Sequence, residues 1–165
     1  LAWLIGSVGE PKAITRTAIE QRPDCEGNMR PVDADDIALI NVEIGTHQGG
    51  TVAAQVALSS VARNGRGCWI EIYGSEGSLV LGSENQKDYV HGFSLTLQQG
   101  GEAPRNVQPD EDLRFATTWS DGRVAPVARL QSWWAQSIQK GHPMVPGLAE
   151  GLASQQACDR TLTSR

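Results

Sequence analysis

Ile70-Glu71-Ile72-Tyr73-Gly74-Ser75-Glu76-Gly77-Ser78-Leu79-Val80-Leu81 decides the fold. Apolar and polar residues alternate up to Gly74, and an apolar run follows Gly77. This is the pattern of two strands joined by a tight turn. The two glycines are expected to occupy positive-φ positions in that turn.

Working outward, the same period of two recurs on both sides. Residues 12–20 alternate, with Ala13, Thr15, Thr17 and Ile19 on one face. Residues 37–44 place Ala38, Ile40, Val42 and Ile44 together, and residues 51–61 do the same for Val52, Ala54, Val56 and Leu58. Cys68 to Tyr73 is the next strand, and Phe93, Leu95 and Leu97 mark another. Between the first two strands, residues 21–33 carry two prolines, a glycine and charges of both signs, and read as a long loop. Residues 99–112 read as a polar linker with room for one short edge strand.

The period then changes to 3.6. Val127, Leu130, Trp134 and Ile138 lie at helical spacing, with Trp133 widening the stripe. Gly141 closes that helix, and Pro143 and Pro146 prevent its continuation. Ala149, Leu152, Ala153 and Ala157 mark a last helix over residues 148–162. Strands followed by helices predict a single α+β domain over residues 1–165: a mostly antiparallel open sheet with helices packed on one face. Leu1-Ala2-Trp3-Leu4-Ile5-Gly6 reads as the end of an amphipathic helix closed by glycine, which predicts a piece of a longer protein.

Composition narrows the function classes. The formal charge is −5 with no basic patch, so nucleic acid and anionic membrane are not expected partners. No apolar run exceeds five residues, far short of a span. Cys25, Cys68 and Cys158 form no C-x-x-C pair and are odd in number. Reduced thiols in a cytoplasmic protein are the expectation. His47, His91 and His142 sit in glycine or proline turns without helical ligand spacing, so no metal site is expected. Asp33, Asp35 and Asp36 read as a strand start, and Asp110-Glu111-Asp112 as a solvated linker.

Asp35-Asp36 opening a strand, a glycine turn, a second strand and then the Ile70–Leu79 hairpin resemble the C-terminal domain of the Gfo/Idh/MocA oxidoreductases, relatives of glucose-fructose oxidoreductase and inositol dehydrogenase. The Leu130-Gln131-Ser132-Trp133-Trp134 helix, the Gly141-His142-Pro143 break and the final helix fit the same plan, so the resemblance covers nearly the whole chain. It implies a parent enzyme with an upstream Rossmann domain holding NAD or NADP on a G-x-G-x-x-G turn. The same resemblance implies that this domain supplies an E-K-P lysine and that a histidine with a nearby aspartate would fall just before Leu1. None of these is in this chain, so the resemblance implies no catalytic residue here and no cofactor bound to these residues.

What remains implied is a substrate-side and oligomerisation domain of an NAD(P)-dependent dehydrogenase acting on a sugar, polyol or related hydroxyl compound. The alternative is a non-catalytic binding or oligomerisation module. Arg22 and Arg30, in the 21–33 loop, are the candidate substrate contacts, through forked hydrogen bonds to a hydroxyl, carboxylate or phosphate. Trp119, just before Ser120-Asp121, is a candidate to stack on a sugar ring. The sheet face carrying Gln55, Trp69 and Tyr73 is the expected interface of a homo-oligomer, a dimer by resemblance.

Overall fold

The longest strand organises the first half of the molecule. The computed structural model describes residues 4–85 and 93–163, with ten strands, β1 to β10 in chain order, and two helices, α1 and α2. β5 (Ile37–Thr46) pairs along its length with β6 (Thr51–Ser59). Its other edge is shared by β2 (Lys12–Arg16) and β1 (Gly6–Val8), and every pairing is antiparallel. Gly9 donates its N–H to the Glu43 carbonyl at 2.9 Å and so bridges the gap between those two short strands. Alternation along these strands produces a two-faced sheet. Val42 and Ile44 are buried on one face, and Lys12, Ile14, Leu39, Asn41, Glu43 and Gln55 are exposed on the other.

β2 ends at Arg16, four residues before the alternation does. The Asp36 carboxylate explains this. It accepts the Ala18 N–H at 2.7 Å and the Ile19 N–H at 3.1 Å, so these amides leave the ladder. The chain then forms a separate ribbon, β3 (Gln21–Pro23) against β4 (Met29–Pro31), where composition had suggested only a loop. Both prolines sit at ribbon ends, where an absent N–H costs no ladder bond.

β7 (Cys68–Gly74), β8 (Gly77–Ser83), β9 (Ser94–Gln99) and β10 (Arg105–Val107) form a second antiparallel sheet in the spatial order β10-β9-β8-β7. The hairpin at its edge is the one expected, with Gly74 opposite Gly77. Its glycines serve another purpose, since neither adopts a positive φ. A Cβ on Gly77 would lie 2.0 Å from the Gln98 carbonyl oxygen of the neighbouring strand, so close approach requires glycine there. Positive φ is used instead at Gly49 and Gly50, in the turn between β5 and β6.

α1 (Val124–Lys140) ends as expected at Gly141, which is left-handed with φ 65°. The His142 N–H reaches back to the Ser137 carbonyl at 3.2 Å. α2 (Leu148–Thr163) packs against β2, and Arg160 lies 3.6 Å from Glu10. Leu1 to Trp3 fall outside the described residues, Leu4 and Ile5 form a turn, and Gly6 opens β1. The architecture is α+β, with mostly antiparallel strands in open sheets and two helices. The chain divides into two compact units: Leu1–Arg63 with Met144–Arg165, and Asn64–Pro143. No helix among the described residues is long and apolar enough to cross a membrane.

Candidate functional site

The ribbon β3–β4 carries both candidate arginines, and its register places Arg22 directly opposite Arg30. Directly opposed residues of an antiparallel pair project to one face. Two aspartates hold the guanidinium groups. Asp36, whose side chain is only 3% exposed, accepts Arg22 Nη2 at 3.0 Å in addition to the Ala18 and Ile19 amides. Asp24 accepts Arg30 Nε at 2.9 Å, the Glu26 N–H at 3.0 Å and the Asn28 N–H at 2.9 Å. Each carboxylate thus takes two backbone amides and one arginine.

The ribbon tip follows from Asp24 itself. Its side chain caps the two amides beyond it, and Gly27 adopts φ 88° to close the turn. At the base, the Val32 N–H donates to the Glu20 carbonyl at 2.8 Å. Both carboxyls lie below the ordinary carboxylate range. The Arg30 hydrogen bond is the leading cause for Asp24, and the Ala18 amide for Asp36. Asp36 therefore does open a strand, as its place in the sequence suggests. Asp24 was not evident, although D-x-x-G before a strand is the mark of such a turn.

Trp119 belongs to the second unit and is 46% exposed. It lies two residues before Asp121, which binds Arg123 through both oxygens, at 2.9 and 2.7 Å, and accepts the Arg123 N–H. These contacts lower the Asp121 carboxyl to about 2, the side-chain bond contributing most. Asp121 and Arg123 line a shallow depression of about 270 Å³ with Val124, Val127, Ala128 and Gln131. Trp119 is not among the lining residues, and it shares neither strand nor turn with Arg22 and Arg30.

The expected interface residues divide between the two sheets. Gln55 is on β6, where its Nε2 donates to Asn41 Oδ1 of β5 at 3.2 Å. Trp69 and Tyr73 are on β7 and share a face with Glu71. The Tyr73 hydroxyl donates to Glu71 at 2.7 Å, and Arg66 donates to the other Glu71 oxygen at 2.7 Å. The Arg66 guanidinium also stacks 4.3 Å from the Trp69 ring centre. Trp69 is thus partly covered by its own chain, whereas Tyr73 is 72% exposed.

Cys25, Cys68 and Cys158 are free and exposed. His47 and His142 are exposed in their turns, and His91 lies outside the described residues. Among the described residues, no three His, Cys, Asp or Glu side chains gather as a metal site. Among the described residues, neither helix follows a strand through a G-x-G-x-x-G turn.

Comparison with known proteins agrees with this architecture. Residues 1–165 match the model of the oxidoreductase family C-terminal alpha/beta domain. An uncharacterised oxidoreductase of Synechocystis sp., sll0816, is 41% identical over 163 residues, which cover 98% of this chain and 43% of that protein. The crystal structure of an NAD binding oxidoreductase from Klebsiella pneumoniae superposes with a TM-score of 0.71 at 19% identity, covering 99% of this chain and 44% of that one. The chain therefore spans less than half the length of either relative. With the family model matched from end to end, the chain belongs to the C-terminal domain family of the Gfo/Idh/MocA oxidoreductases.

Proposed function

We propose that this chain is the substrate-side and assembly domain of an NAD(P)-dependent oxidoreductase acting on a sugar, polyol or related hydroxyl compound. The observation that carries this reading is the family match over the whole chain, which fills only 43% of the length of a relative named as an oxidoreductase. The remaining length of such a parent has room for a cofactor domain. Bound there, a nicotinamide would exchange a hydride with a carbinol or carbonyl carbon. This chain's part is to contact the substrate, with Arg22 and Arg30 as the candidates in one unit and Trp119 as a separate candidate in the other, and to bring subunits together. It catalyses nothing by itself.

Homo-oligomerisation is assigned to the sheet faces bearing Gln55 and bearing Trp69 and Tyr73. The first of these exposes Ile14 and Leu39, which are direct partners across β2 and β5. Large apolar side chains side by side in solvent favour coverage by another chain.

The test is to express the protein from its complete natural reading frame. NAD and NADP reduction would be followed with a panel of sugars and polyols. Nucleotide binding with turnover of at least one hydroxyl compound is the expected result. An intact protein that binds neither nucleotide would leave a binding or oligomerisation module in its place.

A further inference from the structure

We propose that Arg22 and Arg30 together form an anion subsite, and that the substrate of the parent therefore carries a carboxylate or phosphate group. This rests on the substrate-side reading above.

Arg22 and Arg30 are opposed in the register of a two-stranded ribbon and so project from one face of it, a placement in which like charges are ordinarily unfavourable. Among the described residues, each is held by one carboxylate. Arg22 uses Nη2 toward Asp36, and Arg30 uses Nε toward Asp24. The other bonds to those carboxylates come from backbone amides. Nε and Nη1 of Arg22, and both Nη atoms of Arg30, thus have no side-chain or backbone acceptor among the described residues. The two Nη groups of Arg30 form an open fork suited to the paired oxygens of an oxyanion, and Arg22 adds single donors on the same face of the ribbon.

The donors are also pre-set. The Asp24 cap, the turn at Gly27 and the Val32–Glu20 bond fix the ribbon, and Asp36 ties it to the start of β5. Less side-chain freedom is then lost on binding. Asp24 and Asp36 balance the two guanidiniums, and Glu20, Glu26, Asp33 and Asp35 make residues 20–36 acidic as a whole. Recognition therefore comes from the forked geometry more than from a long-range field. A polyhydroxylated acid or sugar phosphate, with further contacts of its own, fits such a site better than a bare ion. Asp24 acts as a positioning residue for Arg30, and Asp36 for Arg22.

The test uses the protein from its complete reading frame and three probes: glucose, gluconate and glucose 6-phosphate. Binding of each is measured by calorimetry. At least one of the two anions should bind at least tenfold more tightly than glucose, and which one does so separates carboxylate from phosphate. Arg22→Gln and Arg30→Gln should each bring that ratio close to one. Arg22→Lys and Arg30→Lys keep the charge and remove the fork, and decide the matter if the glutamine variants fail to fold. A ratio near one in the native protein, or an unchanged ratio in the variants, overturns the subsite. Asp24→Asn should lower the ratio by loosening Arg30. A rise would show that Asp24 competes for the guanidinium and does not position it. Nicotinamide binding, measured on the same protein, tests the oxidoreductase reading separately.

Discussion

Trp69 lies across the backbone of Gly82, its partner on the neighbouring strand, so closely that a Cβ on that glycine would sit 2.2 Å from the indole Cε3. The ring also donates its Nε1–H to the Arg66 carbonyl at 2.8 Å and stacks beneath the Arg66 guanidinium. Gly82 is therefore fixed by packing and not by backbone conformation. Gly82→Ala should force the indole off its seat and destabilise the protein by about 1–3 kcal/mol, the usual cost of overpacking. Thermal unfolding checks this. An unchanged Tm would mean that the ring has another place to go.

Thr15 presents the opposite case, a buried hydroxyl whose oxygen has no hydrogen-bond partner among the described residues. It lies on the covered face of β2, opposite Ala38. Thr15→Val keeps the shape and β-branching, and removes the unsatisfied group. It should stabilise the protein by about 1 kcal/mol, while Thr15→Ser should not. Denaturant midpoints of the two variants give the comparison.

The sequence carried the long strands clearly because their alternation is unbroken. β5, β6 and the β7–β8 hairpin all lie where the period of two places them. The β3–β4 ribbon was hidden for a physical reason. Pro23, Gly27 and Pro31 give it the composition of a loop, and its order comes from side chain-to-backbone bonds at Asp24 and Asp36, which leave no periodic trace. The same reason kept the site half legible. Arg22 and Arg30 stood out by type, but their opposition depends on the turn that Asp24 caps. On α1 the period was right, yet Val127, Trp134 and Ile138 remain largely exposed, since periodicity marks a face without saying what covers it.

The Asp36 carboxylate makes stability depend on pH in a definite sense. Its folded value lies below the ordinary 3.8, first because of the Ala18 amide. A depressed carboxyl stabilises the fold above the unfolded value, and that contribution disappears as pH falls through the folded one. Asp36→Asn should therefore be less stable than the native protein at neutral pH, and the gap should narrow progressively below pH 3.8. A Tm-versus-pH series on both proteins tests this. A constant gap would mean that the asparagine fails for steric reasons.

Ile14 and Leu39 give the assembly proposal its sharpest test. They are direct cross-strand partners on the exposed face of β2 and β5, and Leu39 is also opposite Ala57 of β6. If this face is solvated in the intact protein, Leu39→Lys should be nearly silent, because surface substitutions usually change stability by less than about 0.5 kcal/mol. If a second subunit covers it, a lysine there must lose its hydration or break the contact. Sedimentation of the complete protein should then show the dimer Kd raised by at least about tenfold, equivalent to roughly 1.4 kcal/mol. Trp69→Arg applies the same test to the other sheet, where Tyr73 stands open. A dimer unchanged by Leu39→Lys but lost in Trp69→Arg would assign assembly to the β7 face alone. A dimer unchanged by both would remove the sheet faces from the interface.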